Sequence, residues 1–169
     1  MNNSFKEKRN ALINEFAGNN LGFQSGRKIV NFLMMAIIIL RIIHASFVII
    51  HSGINNNYLG PFGIFIQIIS ILISILFALM ISNAGVKGLV YLALIGGIYS
   101  LFSALQNNAF YGFGKDDALF NISTIFFIIL VLFQIVGMLI LLLNTKCKVF
   151  FVVMSNVGRE FQKSFKTGL

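Results

Sequence analysis

The chain has 169 residues, 57% of them hydrophobic and only 11% charged, yet its formal net charge is +8. So apolar a composition excludes an ordinary water-soluble domain. The single cysteine, Cys147, excludes an internal disulfide and a thiolate metal cluster.

Residues 1–28 form a basic, amphipathic segment, with Phe5, Leu12, Ile13 and Phe16 on one side of a short helix. Gly18, Asn19, Asn20 and Gly22 break that helix before the first apolar run, 29–50. This run is too long for the apolar core of a signal peptide, and no small-x-small cleavage site follows it. Three more runs, 62–82, 89–106 and 119–143, are separated by short polar breaks, with Pro61 at the entrance to the second. At 1.5 Å per residue, each run is long enough to cross a hydrocarbon core about 30 Å thick, the shortest barely so. None shows the polar stripe of a soluble helix. Residues 29–143 therefore read as an all-α, four-span transmembrane helix bundle.

Residues 144–169 form a second basic, amphipathic segment. Phe150, Met154, Val157, Phe161 and Phe165 recur at spacings of four, three, four and four, opposite Arg159, Gln162, Lys163 and Lys166. The pattern predicts a helix in the membrane interface, apolar side down and basic side toward anionic headgroups. A partner's helix is the alternative cover for the same face.

Charge placement predicts orientation. Lys6, Lys8, Arg9, Arg27, Lys28, Lys87, Lys146, Lys148, Arg159, Lys163 and Lys166 flank the runs on one side, and Lys115 stands alone on the other. This bias places both termini in the cytoplasm, or in the matrix if the membrane is mitochondrial. Basic flanks of this kind face lipid, and no base-stacking aromatics are interleaved with them, so a nucleic-acid partner is not expected.

Small residues repeat every four positions as Ser70, Ser74, Ala78 and Ser82 in the second run, and as Gly96, Ser100 and Ala104 in the third. Such stripes let membrane helices approach closely, and the short connection makes these two runs an antiparallel hairpin. The stripes are predicted to face each other, or one of them to serve an oligomer interface.

Arg41 is the chain's one charged residue deep inside a span, near mid-membrane. An unpaired guanidinium there costs at least about 2.5–3.5 kcal/mol on insertion scales, so a partner is expected. His44 and His51 follow on the same helical face, and Gln67, Ser70, Tyr99, Ser100 and Ser103 are candidates for the opposite walls. This constellation reads as an intramembrane anion or proton site. The structural alternative pairs Arg41 with Asp116 or Asp117, or with lipid phosphate. Seven residues separate the two histidines, about 10.5 Å along the axis, so they cannot share a metal ion. No metal or cofactor is expected. Gln134 and Gly137 in the fourth run read as interhelical hydrogen-bonding and close-packing positions.

Catalysis is not expected. No run contains Asp or Glu, and neither Gly-x-Ser-x-Gly nor His-Glu-x-x-His occurs. Gly85-Val86-Lys87-Gly88-Leu89-Val90-Tyr91 and Lys28-Ile29-Val30-Asn31, which open the third and first runs, resemble stretches of the COPI-associated Golgi tetraspan membrane protein family. The resemblance implies a vesicle or Golgi membrane protein with cytosolic termini. An acidic tail found in some members is replaced here by a basic one. The leading expectation from the residues themselves is an accessory or scaffolding subunit of a larger membrane complex, in contact with lipid and with other membrane proteins. A small oligomeric transporter or channel lined by Arg41 and His44, a trafficking tetraspan, and a bacterial toxin-immunity protein are the alternatives.

Overall fold

The computed structural model describes residues 2–18, 21–54, 61–106 and 117–166, which form six helices and no strand. They are α1 (Asn2–Ala17), α2 (Leu21–Ile54), α3 (Pro61–Ala84), α4 (Lys87–Gln106), α5 (Ala118–Leu143) and α6 (Thr145–Lys166). Four of them are long and apolar enough to cross a membrane, over Gly22–Ser52, Phe62–Ala84, Lys87–Gln106 and Ala118–Leu143. The chain is a multi-pass membrane protein with the four-span, all-α architecture read from its sequence.

Local chemistry sets the helix ends. Gly18 and Gly85 sit at φ 46° and 65°, a left-handed backbone that side-chain-bearing residues avoid. Their N–H groups close the last turns of α1 and α3 by donating to the Asn14 and Ile81 carbonyls at 2.9 and 3.1 Å. At the start of α6, the Asn144 side-chain oxygen accepts from the N–H groups of Lys146 and Cys147 at 2.9 and 3.3 Å. This cap starts α6, which packs on the first turns of α2, on α1 and on the α3–α4 turn.

Helix α2 is the hub, packing on α3, α5 and α6, while α4 rests chiefly on α5. The neighbour order is therefore α3–α2–α5–α4, and α3 and α4 touch each other little although only two residues join them. Direct packing of the two small-residue stripes is corrected accordingly. Ala78 turns into the core formed with α2, whereas α4 meets α5 through Gly97 rather than meeting α3 through Gly96 and Ser100. Seating α4 on α5 satisfies the Gln134 amide, which donates to the Ala93 carbonyl at 2.7 Å. In hydrocarbon that polar group requires such a partner.

The apolar core gathers at the end of the bundle that carries the α3–α4 turn. Phe23, Val30 and Leu33 of α2 meet Cys147, Phe150, Phe151, Met154 and Val157 of α6, with Leu12, Ile13 and Phe16 of α1 against them. Phe23 and Phe150 stack at 5.7 Å. The expectation that the α6 face rests on lipid headgroups is corrected: Phe150, Met154 and Val157 are buried by the protein itself. Phe161 is half-buried, and the side chains of Phe165 and Phe5 lie outside the described residues. Periodicity identifies an apolar face but not what covers it. Here Gly26 decides, since a Cβ at that position would run into the backbone carbonyl of Lys146. Without a side chain at residue 26, α6 comes to backbone distance from α2.

Candidate functional site

Where α3 and α4 stand apart, a cleft of about 220 Å³ opens into the bundle. Its polar lining comes from Arg41 of α2, Ser74 of α3, Ser100 of α4 and Gln134 of α5. Gly96 forms part of its edge, and a Cβ there would meet nothing within 4 Å. The floor is apolar, built from Met34, Ile37, Ala78 and Met138. Both serine hydroxyls are occupied locally: Ser74 donates to the Ser70 carbonyl and Ser100 to the Gly96 carbonyl, each at 2.8 Å.

Among the described residues Arg41 has no such partner. Its Nε is buried and meets no hydrogen-bond acceptor, and no carboxylate among the described residues pairs with it. Asp117, one of its two expected counter-charges, is committed elsewhere. It caps α5 by accepting from the Phe120 N–H at 2.9 Å and lies 2.7 Å from His51 Nε2. Ten residues separate His51 from Arg41, about 15 Å of helix, so Asp117 is out of reach. Asp116 lies outside the described residues.

The expected wall of the Arg41 site is reduced to Ser100. Gln67, Ser70 and Ser103 do not line the cleft, and Tyr99 points outward. His44 does not share it either. Its ring packs 5.6 Å from Phe127 of α5, with Nδ1 buried and without a partner. Residues three apart on a helix differ by about 60° in direction, enough to send Arg41 toward α3 and α4 and His44 toward α5. Gln134, expected to make an interhelical hydrogen bond, does so with α4. Its amide stands at the cleft wall because Ala93 holds it there.

His51 and Asp117 instead clamp the far end of α2 to α5, beside the stacked pair Phe47–Phe126 at 5.2 Å. The Phe120 N–H, and after it the His51 ring, hold the Asp117 carboxyl below the usual carboxylate range. A depressed carboxylate stabilises the fold above its ordinary titration range, and that contribution is lost as pH falls through the lowered value. Acidification should therefore loosen the start of α5. Protection of the Phe120 and Asn121 amides, measured relative to their intrinsic exchange rates at each pH, should fall in acid, and Asp117→Asn should remove that pH dependence. Identical acid profiles in the two proteins would show that the clamp plays no part.

Two further clefts lie at the end carrying the α3–α4 turn. Lys87, Lys148 and Arg159 line one of about 760 Å³, and Arg9 and Arg27 line one of about 400 Å³. Arg9 donates to the Asn83 carbonyl, tying α1 to the last turn of α3. The Cys147 thiol is fully buried, and burial pushes its pKa up, so it is shielded from acylation. Among the described residues no three metal-ligating side chains come together. No protein-family model matches the chain, and comparisons with curated proteins and with solved structures find no match.

Proposed function

We propose that this protein is a non-enzymatic accessory or scaffolding subunit of a larger membrane complex, and that it assembles through its α3–α4 face. One observation carries the reading: two neighbouring spans stand apart over a cleft edged by small residues, with an arginine inside that the described chain leaves without a counter-charge. A monomer finished in lipid would close such a gap, because helix contact is the main source of stability where no water drives association. The surrounding surface agrees. Phe65, Leu72 and Leu76 of α3 and Leu92, Ile95 and Phe102 of α4 are all exposed, so both helices offer broad apolar surface to lipid or to a neighbouring helix.

Size argues against a drug-sized ligand in this cleft. Ligand sites usually occupy about 300–1,000 Å³, and this cleft holds about 220 Å³. A transport route lined jointly by Arg41 and His44 gains no support, because the two side chains serve different helix pairs.

The test is mild detergent extraction from the native membrane, mass determination and identification of co-purifying chains. A stoichiometric complex with a different membrane protein is the expected result. A monomer or homo-oligomer alone would overturn the subunit reading.

A further inference from the structure

We infer that the α3–α4 cleft receives a transmembrane helix of a different protein, and that this helix carries an aspartate or glutamate at mid-membrane that pairs with Arg41. The inference rests on the subunit reading and names the chemistry of the partner at that site.

Depth comes first. Arg41 lies ten residues from His51 and thirteen from Lys28, about 15 and 20 Å along α2. Both distances exceed the length of an arginine side chain, so its guanidinium cannot snorkel to either headgroup layer. Lipid phosphate is thereby disfavoured as the counter-charge. An anion must come to Arg41 within the hydrocarbon.

The chain's own composition then narrows the source. Its five acidic residues are Glu7, Glu15, Asp116, Asp117 and Glu160, and all of them lie outside the four spans. A second copy of this protein therefore brings no carboxylate to the depth of Arg41. The partner must be a different chain.

The cleft's dimensions and lining fix how that chain sits. About 220 Å³ admits a side chain or two, while a helix is about 10 Å across. The partner helix must therefore lie across the mouth between α3 and α4 and insert only a projecting side chain. Gly96 leaves open space at the mouth, where a neighbouring backbone can approach closely. Gln134 stands at the wall with its amide already held by Ala93. Arg41 is the group left to be satisfied.

The test uses the full-length protein in phosphatidylcholine vesicles and a synthetic Leu/Ala helix of about 22 residues, a length that spans the bilayer. The helix carries a single central Asp, and versions with central Leu or central Lys serve as controls. Energy transfer between labelled helix and labelled protein reads association. The Asp helix should bind about tenfold more tightly than the Leu helix, the size of effect a single interhelical polar contact gives, and the Lys helix should bind no better than Leu. Arg41→Gln should abolish that preference. Gly96→Leu, which has free space for its side chain, should fold as the parent does and lose the Asp helix by blocking the mouth. Equal binding of the Asp and Leu helices, or an Asp preference that survives Arg41→Gln, would overturn the pairing. So would loss of the preference on adding phosphatidylglycerol, which would identify a net-anionic lipid headgroup as the true occupant. Native extraction of the parent and of Arg41→Gln separates the two levels of the argument. A partner retained by Arg41→Gln sinks the charge pair and leaves the subunit reading standing, whereas no partner with either protein sinks the subunit reading itself.

Discussion

Gly26→Ala should destabilise this protein, against the usual sign of the substitution. Within a helix, exchanging Gly for Ala ordinarily stabilises by roughly 0.5–1 kcal/mol, because glycine loses more backbone freedom on folding. At residue 26 the added methyl meets the Lys146 carbonyl of α6, a backbone atom that cannot turn aside. Overpacking of this kind costs about 1–3 kcal/mol, and the bulkier Gly26→Val should cost about 3 kcal/mol or more and lift α6 off α2. Gly158 supplies the control, since nothing lies within 4 Å of a Cβ there and Gly158→Ala should follow the ordinary rule. Thermal denaturation in mild detergent reads the stability difference. Maleimide labelling of Cys147, fully buried on the inner face of α6, reads the undocking. Should Gly26→Val melt like the parent with Cys147 still protected, the tight α2–α6 approach is not what holds this end together.

The spans were legible because membrane length and the absence of a polar stripe are properties of single helices, visible one residue at a time. Their bounds shifted only where polar residues join a helix already begun, as at Leu21–Lys28, where Phe23 and Gly26 serve α6. The neighbour order α3–α2–α5–α4 was not legible. Two helices joined by a short turn are obvious partners, yet the contacts that decide the matter are long-range: Gln134 on the Ala93 carbonyl, and Gly97 against Ile135. The α6 face illustrates the same limit, since Phe150, Met154 and Val157 announce an apolar surface with equal force whether lipid, partner or parent chain covers it. Arg41 was conspicuous in the sequence. Its isolation required knowing that Asp117 caps α5 and reaches His51, a residue whose numbering places it far from Asp117.

Arg41→Met should make the isolated protein more stable while removing its capacity to capture a carboxylate-bearing helix. The direction of the stability change separates two roles for the arginine. Were Arg41 a structural charge, held by an internal partner, its removal would strand that partner and cost several kcal/mol, as breaking a buried ion pair does. The geometry gives the opposite case, a buried Nε with no acceptor and no carboxylate beside it among the described residues. A methionine fills much of the same space without the cost of holding a cation in hydrocarbon, about 2.5–3.5 kcal/mol at mid-span on insertion scales. Unfolding of the purified chain in mixed micelles should therefore shift to higher denaturant for Arg41→Met, and energy transfer to the Asp helix should fall to the Leu-helix level. A destabilised Arg41→Met would mean that the charge is satisfied within the chain, and the cleft would lose its claim as a docking site. An unpaired charge at mid-membrane weakens the subunit that carries it. On the proposed subunit reading, its advantage exists only in an assembly, where a second chain brings the opposite charge to the same depth and a lone subunit remains the less stable species.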